Sequence, residues 1–205
     1  MRDAVPAIWI RYNRDLEGII TSMYADDLGL VTTGMGNLID PIDLAITLPW
    51  KLPGGIPAAA PVIQRAWHAV KNDPKCAKSG WKYASQIPAN NVRLDIADVE
   101  DLIEKKLQQH DMFIASRFPD WEARPADAQL AVHSMAWAMG PAFFRKFPKF
   151  TLAFGKGDYA TCASECKISP EHGTIVERNR RNKALFLAAA AGGDPESVSW
   201  RPTAA

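Results

Sequence analysis

The sequence is short of everything that would hold a fold together from outside it. Cysteine is scarce and odd in number: Cys76, Cys162 and Cys166 are the three in 205 residues. An odd, small count argues against a disulfide framework. Cys162 and Cys166 stand four apart on one face of a short predicted helix, a spacing that does not close easily into a bridge. With only His172 near them in sequence, they fall short of the four groups a tetrahedral zinc site takes. An excess of charge of one sign is also missing. Lys plus Arg number 24 against 23 Asp plus Glu, a formal net charge of +1, so the chain as a whole has no drive towards nucleic acid or anionic membranes. Basic residues cluster only at 145–149 and 178–183, and short charge runs read as solvated surface. No apolar run approaches the ~18 residues of a membrane span; ALFLAAAA near the C-terminal end is the longest. Arg2, Asp3, Arg11, Arg14, Asp15 and Glu17 leave no room for the apolar core of a signal peptide, so the expectation is a protein made in the cytoplasm.

What is present is ordinary for a folded globular protein: 47% hydrophobic and 23% charged residues. The length suits one large domain or two small lobes sharing a core. Residues 6–17 carry Ile8, Trp9, Tyr12 and Leu16 at roughly helical spacing, with Pro6 suited to a first turn and Gly18 to a stop. Residues 19–39 change period. IITSMY and LVTTGM read as strands and ADDLG between them as a turn. PWKLPGGIPAAAP reads as a loop, 61–72 as a helix, and KNDPKCAKSGWKYASQIPANN as a second long loop. The clearest helix is 95–118, with Asp95 and Asp98 placed like a capping box and His110 packed on its apolar stripe. PADAQLAVHSMAWAMG reads as a buried helix containing a structural His133, and 141–156 as short aromatic helices over the core. GDYATCASEC reads as a short helix capped by Asp158. Thr174 and Glu177 make a capping box for a last helix over 175–190. Residues 191–205 read as a poorly ordered tail on which Trp200 could dock.

The chemistry concentrates in EGIITSMYADDLGLVTTGMGN. Glu17 closes the first helix, at the negative end of the macrodipole, which disfavours its charged form and suits a general acid. Asp26 sits at the hairpin bend and Thr32 on the return strand, where its hydroxyl can orient a water. Gly34 and Gly36 let the backbone pass close to a ligand or another strand. A protonated acid and a carboxylate from different elements are what glycoside hydrolysis needs. Asp27 competes with Asp26 for the second role. Each of these features alone is commonplace.

In combination they resemble the active-site segment of the phage-type lysozymes, glycoside hydrolase family 24, whose pattern is Glu, eight residues, Asp, five residues, Thr, then Gly-x-Gly. Both intervals are reproduced by Glu17, Asp26 and Thr32. The resemblance extends over most of 5–188. NVRLDIADVEDLIEKKLQQH is similar to the helix after the family's cleft and AVHSMAWAMGPAF to its buried helix. GDYATCASEC with GTIVERNRRNKALFL is similar to the closing helices, which usually read Gly-Leu-x-x-Arg-Arg and end Ala-Leu-Phe. Departures are Asn37 where many members have His, Ala138 where they carry Asn or Gln, Glu177-Arg178 in place of paired Arg, and a longer 41–93 segment.

The resemblance implies an α+β lysozyme-like fold over 1–190. A hairpin lobe would take about 18–60, and a helical lobe about 61–190 together with helix 6–17. It implies a muramidase that cuts the β-1,4 bond between N-acetylmuramic acid and N-acetylglucosamine in peptidoglycan, with Glu17 as acid, Asp26 activating water and Thr32 orienting it. Gly34, Gly36, Asn37 and Arg178 would contact substrate, Arg178 as a cation near Glu17. No cofactor or metal is implied. The partner is the glycan strand of the periplasmic wall, reached by phage lysis or by injection as an antibacterial effector, the latter with a cognate immunity protein. A non-catalytic glycan-binding or phage structural module, and a chitinase of related fold, are the other expectations.

Overall fold

The computed structural model describes residues 1–201, so of the predicted tail 202–205 lie outside the described residues. The chain has α+β architecture. It divides into two compact units, one formed by 17–104 and the other by 1–16 with the chain from Lys105 onward.

In the unit 17–104, the β-branched runs pair as expected. Strands β1 (Ile20–Ala25), β2 (Val31–Gly34) and β3 (Asn37–Leu38) form an antiparallel sheet in that order. Tyr24 lies opposite Thr32, and a bulge interrupts β1 between Ile20 and Tyr24. After α2 (Ile42–Ile46), helix α3 (Ala60–Lys71) starts on a proline and buries Ile63, Ala66, Trp67 and Val70, one helical face. It packs on the sheet, and the Trp67 indole N–H donates to the Ile39 carbonyl at 2.9 Å.

Both predicted loops turn out to contain structure. Lys51–Leu52 (β4) and Ile56–Pro57 (β5) pair as a small antiparallel ribbon, with strands too short to show an alternating pattern. The second loop holds helix α4 (Pro74–Ala84), capped by Asp73, whose side chain accepts from the Lys75 N–H. Its helical period is hidden because Gly80, at φ 67° and ψ −168°, breaks the helix midway. This helix packs against β1, and Asn90 ties the two by donating to the carbonyls of Met23 and Ala84, both at 2.8 Å.

The other unit is helical. Its elements are α1 (Ala4–Glu17) up to Leu16, the later part of α5 (Ile96–Arg117), α6 (Ala126–Met139), α7 (Pro148–Gly155), α8 (Tyr159–Glu165) and α9 (Thr174–Ala190). Helix α6 is buried from Ala126 to Trp137, and its alanines let α9 approach closely. Asp158 caps α8 as expected, accepting from the Thr161 N–H. The 141–156 stretch does cover the core: Phe143, Phe144, Phe150 and Phe154 are each no more than 1% exposed.

Helix α9 differs from its sequence reading in two ways. It begins at Thr174 behind Gly173 without a side-chain cap, so the capping box does not form. Instead Glu177 receives Arg180 and Arg181, and the hydrogen bond from Arg180, joined by Arg181, holds its carboxyl down at about 2. The 178–183 run is not solvated surface either: Arg178 and Arg181 are buried. Arg181 reaches Asp15 at 2.8 Å and lies over the rings of Tyr12 and Trp200. The segment after α9 is fastened as far as it is described. Ala126 N–H donates to the Pro195 carbonyl at 2.8 Å, Ser199 N–H donates to Asp127 at 2.7 Å, and Trp200 packs edge-on against Tyr12.

His110 and His133 are packed residues, as their apolar settings predict. His133 lies edge-on to Trp9 and Trp121, and His110 to Trp137. Burial, with Lys106 and His133 nearby, pushes the His110 imidazole down to about 4 from 6.5. Burial also lowers His133, against the pull of Asp111. Both are therefore neutral when folded, and the unfolded chain binds more protons below pH 6.5. The stability they contribute is complete above that pH and is lost as pH falls towards 4. For His110 alone the loss is on the order of 3 kcal/mol. Urea unfolding midpoints should drop between pH 7 and pH 5, and His110→Phe should flatten that drop; equal slopes in both proteins would refute the assignment.

Candidate functional site

The catalytic candidates Glu17, Asp26 and Thr32, with Gly34, Gly36 and Asn37, fall in one compact unit; Arg178 belongs to the other. Glu17 is the last residue of α1, so its carboxylate stands at the carbonyl end of that helix.

Asp26 is built into the hairpin turn. Its Oδ1 accepts from the N–H groups of Leu28 at 2.9 Å and Leu30 at 2.8 Å. Its backbone N–H donates to the Leu30 carbonyl at 3.0 Å. An aspartate that folds its own turn this way has a fixed carboxylate plane, and the turn's bonds leave Oδ2 clear. Asp27 is exposed at the same bend. Thr32 lies on β2, 4% exposed, and its hydroxyl donates to the Leu30 carbonyl at 3.1 Å. With the proton engaged there, the oxygen's lone pairs can accept from a water.

The glycines and Asn37 have structural duties that the sequence did not disclose. Gly34 sits at φ +63°, and a Cβ there would meet Asn37 Oδ1 at 2.8 Å and Val99 at 3.2 Å. That close approach fits the sequence reading of a backbone needing room, and the neighbour is the Asn37 amide. Asn37 accepts from Met35 N–H at 3.2 Å and donates to the Leu102 carbonyl at 3.1 Å, tying the sheet to the start of α5. Gly36 donates its N–H to the Tyr24 hydroxyl. Arg178 is fully buried. Its guanidinium donates to Asn13 Oδ1 at 3.3 Å and to Ser134 Oγ at 3.0 Å, joining α1, α6 and α9.

Tyr24 is the residue that sequence reasoning missed. It is half-buried on β1 directly across from Thr32. Burial first, then the charge of Glu17 and more weakly that of Asp26, push its phenol above the ordinary range, against the pull of the Gly36 N–H. Both carboxylates therefore act on one ring, and that ring stays a neutral O–H. The available signal was its position two residues before Asp26, the period that keeps side chains on one face of an extended chain.

A buttress fixes the turn from below. Lys71 on α3 donates to the Gly29 carbonyl at 2.9 Å and to Asp40 at 2.7 Å. Asp40 in turn accepts from the Val31 N–H at 3.1 Å. Burial works against the Asp40 charge, but Lys71 and that N–H outweigh it and hold the carboxyl below its usual range. In the 41–93 segment two further cations are engaged: Lys51 pairs with Asp95, and Arg93 donates to the carbonyls of Asn90, Val92 and Ser85. Among the described residues, no three His, Cys, Asp or Glu side chains group as metal ligands.

Compared with models of known protein families and with curated protein sequences, the chain matches none.

Proposed function

We propose that this chain is a lysozyme-like muramidase of the phage type, hydrolysing the β-1,4 bond between N-acetylmuramic acid and N-acetylglucosamine in peptidoglycan. The observation that carries the reading is one of placement: within one compact unit Glu17 ends α1, Asp26 closes the hairpin turn and Thr32 stands on the return strand β2. An acid at a helix end, a second carboxylate with a fixed plane and a water-accepting hydroxyl are the set that an acid/base glycosidase requires.

In this mechanism Glu17, protonated, gives its proton to the glycosidic oxygen as the bond to the anomeric carbon breaks. A water donates one O–H to Thr32 Oγ1 and the other to Asp26 Oδ2. It attacks the anomeric carbon from the opposite face while Asp26 takes its proton and offsets the positive charge developing on the ring. Inversion of the anomeric centre follows. No cofactor takes part. The wall is reached either through phage-made lysis or by injection into a rival cell, where an immunity protein would block the site.

Purified peptidoglycan is the test. The protein should clear the suspension and release new reducing ends on muramic acid, and fresh products followed by NMR should carry the inverted anomer. A protein that sediments with the walls, clears nothing and releases no sugar ends would instead be a glycan-binding module. Cleavage of chitin but not of murein would indicate a chitinase.

A further inference from the structure

The basic stretch at 145–149 has no part in that chemistry. No Asp or Glu stands between Asp127 and Asp158, while Arg145, Lys146, Lys149 and Lys156 all do. Several cations elsewhere are matched: Arg124 with Asp120, Lys71 with Asp40, Lys167 with Glu171, Arg181 with Asp15. Among the described residues no ion pair engages Arg117, Arg145, Lys146, Lys149 or Lys156.

Three of these cations rim a groove of about 530 Å³ on the helical unit, lined by Arg117, Phe144, Arg145, Pro148, Leu152 and Lys156 among others. The floor is apolar. Leu152 rises from α7 with 63% of its surface exposed. Arg117 is held over the Phe144 ring at 5.6 Å, and four residues before it on α5 stands Phe113, 40% exposed, on the same helix face.

We propose that this face docks the protein on an anionic phospholipid bilayer, with Arg117, Arg145 and Lys156 at the level of the lipid phosphates and Leu152 in the outer hydrocarbon. Charge complementarity selects the occupant. Unmatched cations around an apolar trough are the composition of an interfacial anchor. A free phosphate would gain nothing from the trough's apolar floor. Single-stranded nucleic acid would need a platform of successive exposed rings for its bases, and beside the part-exposed Phe113 the rings Phe144, Phe150 and Phe154 are all buried. The net charge of +1 does not oppose this, because attraction to a surface is felt within about a Debye length. The proposal is independent of the hydrolase reading.

Sedimentation with sucrose-loaded vesicles tests it on the full chain. The protein should partition at least tenfold more strongly onto phosphatidylglycerol–phosphatidylcholine vesicles than onto pure phosphatidylcholine in about 0.1 M salt, and 0.5 M salt should abolish the difference. The triple variant Arg117→Gln/Arg145→Gln/Lys156→Gln should lose about a hundredfold, at about fivefold per basic residue. Leu152→Ser, with every charge kept, should lose severalfold. A charge-matched control, Lys75→Gln/Lys78→Gln/Lys82→Gln, should bind like wild type. All the altered side chains are exposed, and matching thermal midpoints check folding. Equal partitioning onto both vesicle types would overturn the proposal. So would equal loss in the control triple, or binding of inorganic phosphate or DNA without vesicle binding.

Discussion

Glu17→Gln yields a folded protein whose clearing of peptidoglycan is slower by about a thousandfold, within the range general acids supply. The amide keeps the shape of the carboxyl and removes only the transferable proton. Because the residue ends α1, where the helix carbonyls disfavour negative charge, the thermal midpoint should stay or rise by up to a few degrees. Activity lost together with a much lower midpoint would point to a structural Glu17. Normal clearing would remove the residue from the mechanism altogether. Measuring reducing-end release and calorimetric unfolding on the same preparation separates these outcomes.

The second large effect is expected at the hairpin bend. Asp26→Asn should lower turnover by at least a hundredfold, while Asp27→Asn should change it less than about twofold. Asparagine keeps an Oδ1 to receive the Leu28 and Leu30 N–H groups that Asp26 now binds, so the turn survives and the charge alone is removed. Asp27 is exposed beside it. Asp26→Ala serves as the contrasting variant. It removes the turn's acceptor as well as the charge, costing roughly 1–3 kcal/mol of stability. If Asp27→Asn proved the damaging change, the second carboxylate role would move to Asp27.

How far this was legible follows from the kind of signal each part carries. Helices α1, α3, α5 and α9 bury a periodic face, so their existence and approximate ends could be read from the spacing of Trp9, Trp67, Ile103 or Leu185, and α6, buried on all sides from Ala126 to Trp137, was legible from its small apolar residues between Pro125 and Gly140. Helix α4 could not, because Gly80 splits it and its lysines blur the pattern. The ribbon at 51–57 is too short for a period. At the site, the order of Glu17, Asp26 and Thr32 was visible because chain spacing fixes a helix end, a turn and a strand. Tyr24 was not, since its importance comes from a cross-strand partner and from charges on other elements. Lys71 and Asp40 were hidden for the same reason: their meeting depends on how α3 lies on the sheet. The burial of Arg178 and Arg181 went unforeseen because partners such as Asn13 and Asp15 are far away in the chain.

Were Asp26 to serve the proposed catalysis, its part in closing the turn would also limit what mutation can do to this protein over time. A lineage released from the need to cut its substrate could discard the negative charge at once, yet it could not discard the oxygen that closes the bend. Drift at this position would therefore pass through asparagine or serine rather than alanine or leucine. An asparagine at position 26 of a diverged copy would mark a protein that had retired from catalysis with its scaffold intact.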